Sequence, residues 1–316
     1  MDKPRIGVIG VGNMGLGIAL RLCDQGLAVA VRDIDPAREA LARVGGCTVA
    51  PTPAALAAAV DLLIIVVVDA AQTRDVLFGA DGAAAALPAG ATVMLCPTIA
   101  PGDTAAAAAE LARRGLAVID APMSGGPQRA REGRMSLMVA ADDEVFERWQ
   151  PWLQRLAEPV FRVGRRPGDG ARTKLVNNLA AAINLSGACE ALALAARLGL
   201  DPAVTLDVIE RSSGQSWAGS ERLRRALAGR DEPLAHMTLL AKDSALAMAE
   251  AQALQQPAPV GAAASATFAR ALAAGLARHD DSALYRWLLQ AQSQPQAQQP
   301  PGDALSPPPP APESAP

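Results

Sequence analysis

Short, unbroken apolar runs recur through the first half of the chain, at residues 5–9, 28–31, 48–49, 62–68, 92–95 and 117–120. "RMSLMVA" and "PVFRVG" continue the series. Between them lie alanine-rich stretches of helical character, such as 36–44, 53–59 and 103–114. A strand buried on both faces shows no alternation, because helices cover it on each side. The pattern therefore predicts an α/β class with a parallel sheet between helical layers.

After "VGRRPGDG" the rhythm changes. From Gly170 to about Ala291 no strand pattern remains, and helical segments break at "GLDP", "SSGQSW", "GRDEP", "QQPAPVG" and "ARHDDS". This predicts a first domain over 1–167 and an all-helical C-terminal domain over 168–291. Residues 292–316, rich in Pro, Gln, Ala and Ser, bury too little apolar surface to offset ordering and are expected to be disordered.

The length of 316 residues suits two domains. With 29 basic and 32 acidic residues, charge offers no reason for a nucleic-acid or anionic-membrane partner. The run "LLIIVVV" is too short to span a bilayer, and glycines break the N-terminal run, so a cytoplasmic protein is expected. Cys23, Cys47, Cys96 and Cys189 form no CxxC pair, and only His236 and His279 could join them. No metal site is expected; buried thiols are.

The first apolar run leads into Gly10-x-Gly12-x-x-Gly15, followed by Ala19. A strand, this glycine spacing and a helix in succession predict a Rossmann-type doubly wound sheet. Gly10 permits the tight turn, Gly12 lets a pyrophosphate approach, and Gly15 and Ala19 let the helix pack closely. Gly10, Gly12, Asn13, Met14 and Gly15 are thus candidates to bind the cofactor, with phosphates at the helix N-terminus. The second strand ends at Asp33, where a carboxylate accepts ribose hydroxyls and favours NAD over NADP. Arg32 beside it is positioned to turn toward a 2′-phosphate instead.

"GDGARTKLVNNLAAAINLSGACEALALAARLGL" reads as one long helix from Gly168. At 100° per residue, Arg172, Ser186, Glu190 and Arg197 form a solvated stripe. Lys174, Asn177 and Asn178 lie nearly opposite, on a face that continues as Ala181, Leu185, Ala188 and Leu192. Lys174 therefore faces the protein or a cleft. An ammonium there has a lowered pKa or a ligand, which suits proton exchange with a substrate hydroxyl. The alternative is a lysine snorkelling from a helix end.

Several segments together resemble the β-hydroxyacid dehydrogenases, typified by 3-hydroxyisobutyrate dehydrogenase. They are "GVIGVGNMG", "DAPMSGGPQRAREG", "GDGARTKLVNN", "LLAKDSALA" and "CPTIAP". The resemblance implies Lys174 as general acid/base. It implies Ser124, Gly125, Gly126 and Asn178 as substrate-binding residues. Val68, Asp69, Thr98 and Lys242 would line the nicotinamide half of the cofactor site. The chain departs from the family at Val68-Asp69, where Leu-Pro is common, and at Pro97, where Ser is usual. Trp217 resembles a residue near the active site and either caps the pocket or packs between helices.

The expected activity is NAD-dependent hydride transfer to or from a small 3-hydroxy acid of the 3-hydroxyisobutyrate type. A tartronate semialdehyde or L-threonate type enzyme of the same family is the alternative. The resemblance further implies a homodimer or homotetramer. An imine reductase is disfavoured by Lys174, and a non-catalytic NAD-binding protein by the intact lysine and SGG segments.

Overall fold

The computed structural model describes residues 3–230 and 232–291, so the expected disordered tail lies outside the described residues. Among the described residues, nine strands form one sheet: β1 (Ile6–Ile9), β2 (Val29–Arg32), β3 (Thr48–Val49), β4 (Leu62–Ile65), β5 (Thr92–Leu95), β6 (Ala117–Asp120), β7 (Met123–Ser124), β8 (Met135–Ala140) and β9 (Ala157–Gly164). Their order is β3-β2-β1-β4-β5-β6-β8-β7, with β9 also paired to β8. β1 to β6 pair in parallel, β8 runs antiparallel to β6 and β7, and β9 is parallel to β8. The order reverses direction at β1, between β2 and β4. The crevice beyond the C-terminal ends of β1 and β4 is where such sheets take ligands.

The unbroken apolar runs have the expected cause. β1, β4 and β5 are buried along their whole length. Ile6, Val8, Leu62, Ile64 and Met94 face one helical layer, which includes Ile18 and Leu22 of the helix Asn13–Asp24. Ile9, Leu63, Ile65, Val93 and Leu95 face the other, with Ala107 and Leu111 of the helix Pro101–Ala112.

Several details differ from the sequence reading. The strand expected over 62–68 ends at Ile65; Val66 keeps one bond to Ile9 O at 2.8 Å, and the chain then leaves the sheet toward the helix Ala70–Phe78. β7 was not anticipated, because Met123 and Ser124 sit between Pro122 and Gly125-Gly126, where no apolar run marks a strand. The helix expected at 103 starts at Pro101, where proline's missing N–H costs nothing.

The second domain is helical, with helices Asp169–Arg197, Pro202–Glu210, Trp217–Leu227, Met237–Ala253, Pro259–Ala273 and Ala283–Ala291. The first has 29 residues and runs through the middle of the domain. Its Ala182, Leu185, Cys189 and Leu192 pack with Leu223, Met237, Phe268 and Leu284. By length and composition alone this helix could cross a membrane; here it is the core helix of a helical bundle. The expected solvated stripe holds at Arg172, Glu190 and Arg197 but fails at Ser186, which is buried. Neighbouring helices cover a wider arc than an amphipathic stripe allows, and Ala182, Cys189 and Ala193 are buried beside it. Cys47, Cys96 and Cys189 are buried free thiols, and Cys23 is half-buried, its sulfur 3.3 Å from that of Cys47.

Candidate functional site

β1 runs directly into the glycine turn, and the helix Asn13–Asp24 leaves it. Gly10 sits at φ +90°, and a Cβ there would fall 2.4 Å from Val66 O, so the turn beside β4 requires glycine. A Cβ on Gly15 would lie 1.8 Å from Gly10 O. By contrast, a Cβ on Gly12 would meet nothing within 4 Å. The open side of the turn is thus at the start of the helix, where Asn13, Met14 and Gly15 carry N–H groups without intrahelical acceptors.

Asp33 lies just beyond β2. Its carboxylate accepts the N–H of Val11 at 2.6 Å and that of Asp35 at 2.9 Å, one on each oxygen. Each oxygen keeps a lone pair for a further donor. Arg32 is paired with Glu39 at 2.6 Å and also donates to Asp33 O, so it is held toward the helix Pro36–Val44. Arg38 reaches Asn13 Oδ1 at 3.2 Å. Open N–H groups at a helix start, beside a carboxylate with spare acceptor capacity, fit a dinucleotide's phosphates and adenosine ribose.

Lys174 stands in the second turn of the long helix and is 7% exposed. Burial lowers its pKa from 10.5 to about 8; Asp243 opposes that fall and Lys242 adds to it. Among the described residues no hydrogen bond or ion pair holds its Nζ. Asp243 and Lys242 come from the helix Met237–Ala253. Asp243 accepts from Lys242 Nζ at 2.7 Å and from Asn178 Nδ2 at 2.6 Å, and Asn178 Oδ1 accepts from Asn177 at 3.0 Å. Lys242 also donates to Thr98 O, in the loop after β5. One chain of polar contacts therefore joins the C-terminal edge of the sheet to two helices of the second domain. The structure brings Thr98, Lys174, Asn178 and Lys242 into one neighbourhood.

Ser124 ends β7, opposite Ser136 of β8, whose hydroxyl donates to Ser124 O at 3.4 Å. Gly125 and Gly126 follow at φ +124° and +80° and open the helix Gly126–Glu132. Arg129 of that helix stacks on Trp217 at 5.3 Å, and Arg222, anchored by Asp281 at 2.6 Å, lies 5.9 Å from the same ring. Trp217, half exposed, bridges the two domains. Val68 is half exposed, with its N–H on Gln72 Oε1. The Asp69 carboxylate caps its own helix through Gln72 N at 2.8 Å, so it is directed into that helix. A cavity of about 410 Å³ lies further along the long helix, lined by Asn184, Gly187, Ile209, Gln215 and Ser216.

Two residues were not assigned site roles from sequence. Asp243 is the hub of the polar chain. Asp120, at the end of β6, accepts Gly168 N at 2.7 Å and Ala171 N at 3.1 Å. Their only sequence signal is an acid bordering a motif already singled out.

Two sequence profiles match. One, for the NAD binding domain of 6-phosphogluconate dehydrogenase, covers residues 5–164. The other, for the NAD-binding region of NADP-dependent 3-hydroxyisobutyrate dehydrogenase, covers residues 168–288. An L-threonate dehydrogenase of Escherichia coli K12 is 37% identical over 282 residues, 89% of this chain and 93% of that enzyme. The crystal structure of a 3-hydroxyisobutyrate dehydrogenase from Salmonella typhimurium superposes with a TM-score of 0.84 at 35% identity, covering 90% of this chain and 99% of that one. An imine reductase from Myxococcus stipitatus, at 19% identity and a TM-score of 0.61 over 91% of this chain and 100% of that one, shares the fold alone.

Proposed function

This chain belongs to the β-hydroxyacid dehydrogenase family of NAD(P)-dependent oxidoreductases, and we propose that it oxidises a small hydroxy acid with NAD, using Lys174 as acid/base. The observation that carries this is the buried Lys174 amine, with a pKa lowered to about 8, beside Asn178, Asp243 and Lys242. Such an amine is partly neutral near pH 7 and can take a proton from a substrate hydroxyl. When bound, the nicotinamide supplies the hydride acceptor. In oxidation, Lys174 Nζ receives the hydroxyl proton; in reduction the ammonium returns it.

Ser124, Gly125 and Gly126 hold the substrate carboxylate, supported by the positive φ of both glycines, which turns the backbone at the end of β7. Asn178, fixed by Asp243, orients the same substrate. Lys242, anchored on Thr98 O, borders the nicotinamide side together with Val68. Gly10, Gly12, Asn13, Met14 and Gly15 hold the pyrophosphate, and Asp33 holds the ribose. A 2′-phosphate would face the Asp33 carboxylate, while Arg32 is engaged by Glu39, which favours NAD.

The likeness to L-threonate dehydrogenases makes L-threonate the first substrate to test, with 3-hydroxyisobutyrate and tartronate semialdehyde beside it. The enzyme is read as cytoplasmic and as a homodimer or homotetramer. Leu194 with Leu198, and Val204 with Val208, leave two apolar i, i+4 pairs exposed on the second domain, which supports self-association.

The deciding experiment is NAD- and NADP-linked oxidation across small 2- and 3-hydroxy acids, wild type against Lys174→Ala. Loss of about 10²- to 10⁴-fold in rate is expected. Equal rates for the two proteins remove Lys174 from the mechanism. Turnover of cyclic imines without any hydroxy-acid activity overturns the substrate class.

A further inference from the structure

The geometry points to Asp120 as the positioning residue for the lysine: its carboxylate clamps the start of the long helix and so fixes where Lys174 stands. This rests on the reading of Lys174 as acid/base.

The helix Asp169–Arg197 is preceded at its N-cap by Gly168, at φ +103°, which has no side chain to cap it. The first N–H groups of a helix have no internal acceptor. Asp120 Oδ2, from the end of β6 in the other domain, takes two of them, at Gly168 and Ala171. Asp120 is 1% exposed, so solvent offers no substitute. A carboxylate this deep is costly unless bonded, and the N–H groups and the positive helix end compensate it.

The seat is close-fitting. A Cβ on Gly170 would fall 2.7 Å from Met138 O of β8 and 2.8 Å from Asp120 Oδ1. The helix start therefore rests directly on the ends of two strands. Gly170, Ala171 and Lys174 share a face at i, i+3 and i+4 spacing. Helical side chains lean toward the N-terminus, so Lys174 leans back over the clamped turn. A slip of that turn is carried to the amine.

The clamp is also titratable. Burial raises the Asp120 pKa to about 6, against the lowering effect of the N–H groups of Gly168, Ala171 and Gly170. The charged and titratable groups facing it are Asp169 on the helix, which raises it further, and the buried Cys96 thiol after β5. Protonation replaces an anionic acceptor of two N–H groups by a neutral carboxyl.

In Asp120→Asn, kcat for hydroxy-acid oxidation is expected to fall about 10- to 100-fold, because an ångström of misplacement costs up to about 10²-fold. The KM for NAD stays within about twofold, since the cofactor is held at the glycine turn. Below about pH 6 the wild-type kcat falls more steeply than the Lys174 titration alone makes it, and Asp120→Asn lacks that additional fall. Gly170→Ala presses a methyl on Met138 O and on the other carboxylate oxygen, Asp120 Oδ1, and so displaces the clamp and reproduces the loss in kcat. Amide exchange of the wild-type protein reads the clamp without a variant: protection at residues 168–171, corrected for intrinsic rates, falls as the pH drops through about 6. Constant protection across that range overturns the inference. So does a wild-type kcat and pH profile in a folded Asp120→Asn, and with an inactive Lys174→Ala that result leaves the lysine standing. Wild-type turnover in Lys174→Ala removes the lysine reading, and this inference with it.

Discussion

Lys174 should give the oxidation rate a pH dependence whose sign and position follow from its surroundings. Burial brings the amine from 10.5 to about 8, so at pH 7 about one molecule in ten carries a neutral lysine, against about one in three thousand for an ordinary lysine. A base must be neutral to accept the hydroxyl proton. The kcat/KM for hydroxy-acid oxidation should therefore rise about tenfold per pH unit below pH 8 and level off above it. Reduction uses the ammonium, so its rate should fall above the same point. Two variants test the cause. The Asp243 carboxylate favours the ammonium, so Asp243→Asn should move the break to lower pH. The Lys242 ammonium disfavours it, so Lys242→Met should move the break upward. Initial rates, followed by the absorbance of the reduced nicotinamide from about pH 6 to about pH 10, give both limbs. A flat oxidation profile would refute the reasoning, and so would shifts of the opposite sign in the two variants.

Lys174→Met should be more stable than wild type at neutral pH. The fall from 10.5 to about 8 corresponds to a penalty of about 3 kcal/mol on the buried ammonium, enough to raise Tm by several degrees in a thermal melt. The unfolded chain binds the extra proton between those two values, so wild-type stability should rise with pH across that window and the variant's should not; equal melts at pH 7 would contradict this. Asp33→Ala should lower kcat/KM with NAD and raise it with NADP, shifting the ratio by about tenfold or more, because the ribose loses its acceptor and a 2′-phosphate loses its repulsion. An unchanged ratio in coupled initial-rate assays would place cofactor choice elsewhere.

Much of the fold could be read from residues whose environment is fixed locally. Leu62 to Ile65 are apolar on both faces because both faces are covered, and Pro36–Val44 carries its own start signal in Asp35 and Pro36. The glycine turn was legible because Gly10 and Gly15 answer to neighbours only a few residues away or on the adjacent strand. Lys174 stood out because a charge began an apolar helical face. What escaped depended on segments meeting from afar. Asp120 bonds across 48 residues and Asp243 across 65, and nothing in a local window says which backbone or amide each will find. Ser186 was misread for the same reason: its burial is decided by helices that arrive later in the chain.

The long helix acts as a lever. Lys174 lies near its tip, and the helical core first grips the helix at Ala182, about 12 Å away at 1.5 Å per residue. A swing of about five degrees about that grip displaces the tip by about 1 Å, a distance at which proton transfer is already impaired. The fulcrum residues Leu223, Phe268 and Leu284 touch no reacting atom. Changes in their volume would nonetheless blunt turnover while the protein still folds, so the tolerance of this distant packing is set by catalysis before it is set by stability.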